Sequence, residues 1–151
     1  MESMPNSGLT AASTERGQAL ARGVCRAFAE LGLATLTEFT LRTGRRVDVI
    51  GLDPGGAVTI VEVKSSLEDF RSDGKWPEYL DHCDHFYFAV PDGFPLEVLP
   101  EDCGLLAADA YGAVILRPAP KRPLNGARRR ALLLRFATAA AQRLHRLTDP
   151  R

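Results

Sequence analysis

Three charged residues stand where apolar ones are expected. Arg45-Arg46-Val47-Asp48-Val49-Ile50 and Val58-Thr59-Ile60-Val61-Glu62-Val63-Lys64 flank the turn Asp53-Pro54-Gly55-Gly56. Both stretches read as strands with aliphatics on each alternating face. Val47, Val49, Val61 and Val63 fall on one face, and Ile50, Leu52, Val58 and Ile60 on the other. Strands of that kind are covered on both sides, so a charge within them must be paired, metal-bound or near the sheet end. With the turn centred near Gly55, Asp48 falls opposite Glu62 and Arg46 opposite Lys64. Facing Cβ atoms in such a hairpin lie about 4.5–5.5 Å apart. Two carboxylates that close repel unless something positive lies between them, and hard Mg²⁺ or Mn²⁺ prefers oxygen donors. Lys64 projects from the same face as Glu62, where an ammonium can hold a water or stabilise charge developing on a phosphate. The same three residues also admit a plain ion pair at a sheet edge. A register slip of one residue would part the two acids.

The elements around them are legible from periodicity. Leu20, Val24, Phe28 and Leu31 recur at helical steps, predicting an amphipathic helix from about Ser13 to Leu31 that stops near Gly32. Strands follow at about 35–42, 46–52 and 57–64, divided by Thr43-Gly44 and the Pro-Gly turn. A short helix starts near Pro77, and His85 to Val90 reads as a buried strand ended by Pro91. Gly104–Ala108 and Ala113–Arg117 form two more strands. A closing helix from Ala127 to Leu147 carries an apolar stripe of Leu132, Leu133, Phe136, Ala140, Leu144 and Leu147. The fold class is α/β: a mixed central sheet flanked by helices. Residues 1–12 read as a loose tail and 13–148 as one domain.

Several strings in this chain resemble one family. They are Gly44-Arg45-Arg46-Val47-Asp48-Val49, Val61-Glu62-Val63-Lys64-Ser65-Ser66, Asp69-Phe70-Arg71 and Asp73-Gly74-Lys75-Trp76-Pro77-Glu78-Tyr79, followed by Cys83 to Val90 and Ala108 to Ala113. Together they look like the MmcB-like family of DNA-repair endonucleases, within the PD-(D/E)XK nuclease superfamily, over roughly residues 17–145. The resemblance implies a restriction-endonuclease-like αβ sandwich and a Mg²⁺-dependent (or Mn²⁺-dependent) DNA endonuclease. It makes Asp48 and Glu62 the metal-binding acids, the carbonyl of Val63 a further metal ligand and Lys64 the catalytic lysine. Val47 stands where the superfamily name has Pro, which removes no chemistry. An extra catalytic acid falls to Glu38 or Glu15, with Glu38 preferred. Superfamily nucleases often pair as homodimers, although no clear interface stripe marks one here.

Within and just past the central motif, Arg46, Ser65, Arg71, Lys75, Trp76 and Tyr79 offer cations, a hydroxyl and rings suited to a nucleic-acid backbone and its bases. Trp76 and Tyr79 serve equally as core anchors. Asp73 reads as a helix cap, and His82-Cys83-Asp84-His85 as structural, with no second cluster to close a tetrahedral site. Arg128-Arg129-Arg130, with Lys121 and Arg122, either bind phosphate or form a solvated face. Charge is segregated: residues 1–116 hold 9 Lys/Arg against 18 Asp/Glu, and residues 117–151 hold 10 against one. The net charge of zero therefore leaves room for a local basic surface. Three scattered cysteines argue against a disulfide framework, and no apolar run matches a membrane span. The expectation is a reduced cytoplasmic, nucleoid-associated protein acting on branched, damaged or single-stranded DNA, without a membrane partner. Two other readings stay open: a DNA-binding accessory that does not cut, and a protein-interaction module using the basic closing helix.

Overall fold

Alternating apolar residues in six short stretches close into one sheet. The computed structural model describes the backbone of residues 7–151 and the side chains from Thr14 onward. Helix α1 (Ser7–Glu30) leads into strands β1 (Ala34–Thr40), β2 (Arg46–Leu52) and β3 (Val58–Val63). Helix α2 (Leu67–Arg71) and a 3-10 turn over Trp76–His82 connect to β4 (His85–Val90), and a second 3-10 turn at Leu96–Val98 precedes β5 (Gly104–Ala108). Strand β6 (Ala113–Arg117) and helix α3 (Gly126–Thr148) complete the chain. The strands lie in sequence order, with β3, β4 and β5 parallel and the other neighbours antiparallel.

Each face of the sheet has its own core. On one side α3 and the 3-10 turn cover Phe39, Val47, Ile50, Ile60, Phe86 and Phe88, with Leu132 and Phe136 supplied by the helix. On the other, Leu20, Val24 and Phe28 of α1 pack on Val49, Val61, Tyr87, Ala89 and Leu106. Gly23 lets α1 seat closely, because a Cβ there would lie 1.8 Å from the Asp109 carbonyl oxygen.

The structure departs from the sequence reading in several places. Helix α1 begins at Ser7, so it already includes 7–12 of the expected tail; residues 1–6 lie outside the described part. Small residues conceal the periodicity there, yet alanine favours helix. Helix α2 was not anticipated; its signal is Ser66-x-x-Asp69, in which the Ser66 hydroxyl accepts from the Asp69 N–H at 3.1 Å. The stripe of α3 is shorter than expected: Leu132 and Phe136 are buried, whereas Leu144 and Leu147 are 61% and 79% exposed. Those last turns carry no buried residue, so no apolar packing selects their leucines. Val47 and Val49 do not share a face either, since Val47 packs with Ile50 and Val49 with Val61.

That last correction has a local cause. Leu36 and Phe39 of β1, three residues apart, also pack in one cluster, where strict alternation would part them. Between them Glu38 takes φ 49°, in the left-handed region, a conformation that costs a non-glycine residue roughly 1–2 kcal/mol. The β1–β2 ladder pairs Thr37 with Val49 and Phe39 with Val47, so Glu38 and Asp48 occupy the facing positions between those rungs. Both strands switch faces at these two acids. Arg143 of α3 stabilises the kink by donating to the carbonyls of Thr37 (2.6 Å) and Glu38 (3.0 Å). Among the described residues no helix is long and apolar enough to cross a membrane.

Candidate active site

Asp48 and Glu62 meet where the β2–β3 ladder stops. The register runs from Leu52↔Val58 to Val49↔Val61, which sets Asp48 opposite Glu62 as the turn position requires. There the carboxylates replace the missing backbone rungs. The Asp48 N–H donates to Glu62 Oε1 at 3.2 Å, and the Val63 N–H donates to Asp48 Oδ2 at 2.7 Å. The strands part, and the gap is bridged by the side chains themselves.

Burial makes this arrangement electrostatically tense. Glu62 is 5% exposed. Desolvation, then the charge of Asp48, pushes its carboxyl up to about 9. Asp48 is raised too, mainly by burial, against the pull of the Val63 N–H and Lys64. Without a cation the pair therefore retains a proton across the neutral range. Lys64 is also 5% exposed, and its Nζ donates to Asp73 Oδ2 at 2.6 Å. Asp73 is partly desolvated, but the bonds from Lys64 and the Lys75 N–H outweigh that and hold its carboxyl below the usual range. Asp73, read from sequence as a cap, is not the N-cap of the 3-10 turn, which is Lys75. It accepts from the Lys75 N–H just ahead of that turn and also holds the ammonium.

A groove of about 480 Å³ opens over this cluster. Its walls include Gly17 and Gln18 of α1, Glu38, Arg46, Asp69 and the charged trio. Glu38 reaches the groove because of its left-handed backbone, whereas Glu15 is exposed and does not line it. Asp69 also accepts from the Ser65 N–H at 3.1 Å. Sequence reasoning passed over Asp69 and the α1 wall; the Ser66-x-x-Asp69 cap is the signal that finds the former.

The six nucleic-acid candidates divide. Arg46 is exposed and lines the groove; Arg71 and Lys75 are exposed on the segment beyond it. Ser65 is buried. Tyr79 is buried in the core and Trp76 packs against it, the rings lying 6.5 Å and 5.9 Å from Phe86. Large apolar rings gain more from such packing than from standing in water, so these two anchor the 3-10 turn on β4. The arginine run divides as well. Arg129 makes a two-pronged pair with the buried Asp84, both contacts at 2.7 Å, and Arg128 donates to the Asp81 carbonyl. Cys25, Cys83 and Cys103 are all free thiols.

A divalent cation would find a fitting donor set here. Each carboxylate commits one oxygen to a backbone N–H, and its second oxygen is what a cation would take up, together with the Val63 carbonyl. Desolvation raises both carboxyls and the charge of Asp48 raises that of Glu62 further, and a bound cation would offset both effects. Among the described residues no group of three His, Cys, Asp or Glu side chains forms a cage. Such a site would leave positions for water and substrate oxygens, as Mg²⁺ favours.

Comparison with known proteins finds one family and two solved structures. A profile described as DNA repair protein MmcB-like matches residues 5–151. A solved protein of unknown function from Silicibacter pomeroyi is 50% identical, with TM-score 0.87 over 89% of this chain and 92% of that one. A repair endonuclease from Pyrococcus abyssi aligns at 17% identity and TM-score 0.31, over 60% of this chain and 39% of that chain. No curated protein matches.

Proposed function

The chain belongs to the family of MmcB-like DNA repair proteins, and we propose that it serves repair as a metal-dependent DNA endonuclease whose cutting site is Asp48, Glu62 and Lys64. One observation carries this reading. A buried carboxylate, Glu62, and a half-buried one, Asp48, meet at the end of a broken ladder, with an ammonium on the same strand end, beneath an open groove. An ordinary structural ion pair leaves no such surplus of negative charge. The site also lies at the carboxyl end of β3, the first of three parallel strands, where ligands of open α/β sheets bind.

Asp48, Glu62 and the Val63 carbonyl would hold Mg²⁺ or Mn²⁺. A bound Mg²⁺ supplies Lewis-acid stabilisation of phosphate charge and lowers the pKa of a water. Lys64, held by Asp73, places a positive charge where the phosphoryl oxygens gain negative charge during attack. Asp73 is a positioning residue, because its contact is with Lys64 and not with the groove. Glu38, turned into the groove by its backbone, is placed to orient a water or to add a further oxygen donor. Arg46, exposed at the groove, offers a contact to the phosphodiester backbone.

The test is cleavage of flapped, branched, single-stranded and abasic DNA with Mg²⁺ or Mn²⁺. Asp48→Ala and Lys64→Ala are each expected to lose about 10²–10³-fold or more in rate. Wild-type rates in both variants would remove the mechanism. Unchanged DNA binding with and without Mg²⁺, and no cleavage of any substrate, would point instead to a binding accessory.

A further inference from the structure

We propose that the groove between α3 and β1 is a second nucleic-acid subsite, holding the DNA backbone that flanks the cutting site. The proposal rests on the nuclease reading and adds where the strand runs. This groove encloses about 540 Å³ and is lined chiefly by Arg135, Thr138, Gln142, Arg143 and Arg146 of α3, and by Glu38 of β1. Glu38 also lines the groove over Asp48 and Glu62. The two grooves therefore adjoin across one residue of an edge strand.

Charge complementarity names the occupant. The cutting groove is rich in acids, with Glu38, Asp48, Glu62 and Asp69 against Arg46 and Lys64, so it repels a polyanion unless flanking cations hold it. The α3 groove has the reverse balance, three arginines to one acid. Its polar residues recur at three- and four-residue steps along one helix face. From Arg135 to Arg146 the helix rises about 16 Å, the span of roughly five phosphates along one strand of a duplex. Thr138 and Gln142 are exposed, and such side chains are common phosphate donors.

The arginines also differ in what they have left to offer. Arg143 uses both terminal nitrogens on Thr37 and Glu38. Among the described residues Arg135 donates only through Nε, to the Thr40 carbonyl at 2.9 Å, which leaves its two terminal nitrogens without a partner there. Arg146 is exposed and makes no hydrogen bond or ion pair among the described residues. An exposed cation on a groove wall, without a partner among the described residues, is free to take an anionic ligand.

Binding, measured apart from cutting, tests the subsite. Fluorescently labelled single-stranded and flapped DNA would be titrated in EDTA over a series of salt concentrations. Arg146→Glu is expected to weaken binding about 3–10-fold at low salt and to lower the slope of log K against log salt by about 1. Arg146→Lys should restore most of both, and the thermal midpoint should not move. Wild-type affinity and slope in Arg146→Glu combined with Gln142→Glu would overturn the subsite. Tighter binding of poly-glutamate than of DNA would overturn it too, by making the occupant an acidic protein. The two proposals fail separately. If the wild type binds and cuts while Arg146→Glu binds normally, only the subsite falls. If Arg146→Glu loses binding but the wild type never cuts, only the nuclease reading falls. A wild type that binds no DNA overturns both.

Discussion

Asp84 and Glu62 are both nearly inaccessible carboxylates, 1% and 5% exposed, set at opposite ends of β3. At the amino end, Asp84 takes N–H bonds from Val58 (2.7 Å) and Leu124 (2.8 Å) and a two-pronged contact from Arg129. That guanidinium, with the two N–H bonds, outweighs desolvation and holds the Asp84 carboxyl well below the usual range. At the carboxyl end, Glu62 receives one N–H among the described residues and faces a second acid; desolvation, then the charge of that acid, raises its carboxyl to about 9. Burial is shared; completion is not. A buried charge with its partners in place joins α3 to the sheet, whereas an incomplete pair beneath an open groove is poised for a ligand.

Removing the partners tests that contrast most strongly. Asp84→Ala should cost roughly 3–5 kcal/mol, because it strands a guanidinium and two buried N–H groups. Urea unfolding would show it, and a loss below about 1 kcal/mol would make Asp84 no different from a surface acid. Glu62→Gln should go the other way, stabilising metal-free protein by roughly 1–2 kcal/mol while abolishing cleavage. A destabilised Glu62→Gln would mean that the acid pair is structural.

The pH dependence separates the two ends in solution. Glu62 has a raised carboxyl, so its contribution is fully present below its ordinary 4.5 and is lost as pH climbs through about 9. Metal-free thermal midpoints should therefore fall from pH 5 to 9, and Mn²⁺ should flatten that decline. Asp84 has a lowered carboxyl, so its contribution is present above 3.8 and disappears in stronger acid. A midpoint constant from pH 5 to 9 without metal would contradict the assigned strain. The smallest effect belongs to Glu38→Gly: it relieves a left-handed backbone, but the greater unfolded-state freedom of glycine offsets part of that gain, so stability should rise by no more than about 1 kcal/mol. A clear loss of stability would show that the Glu38 side chain supports the kink.

How far the chain could be read in advance follows physical lines. Strands β2, β4, β5 and β6 were legible almost to the residue, because Gly, Pro and Asp punctuation bounds short apolar runs. The register that sets Asp48 against Glu62 followed from the position of one turn. Helix α2 was missed because five residues give no periodicity. The switch of faces at Glu38 and Asp48 was illegible for a different reason: it depends on Arg143, over a hundred residues away, capturing two carbonyls of an edge strand.

Sequence alone therefore determined most of the elements, their order along the chain and a turn position that permits Asp48 to oppose Glu62, since propensity, punctuation and alternation are local. Tertiary structure decided which charges are satisfied. It turned Arg129 from a candidate phosphate contact into the partner of Asp84, drew Trp76 and Tyr79 into the core, and tied Lys64 to Asp73. Desolvation and pairing depend on what the distant chain packs against each residue, and no window of neighbours along the chain contains that information.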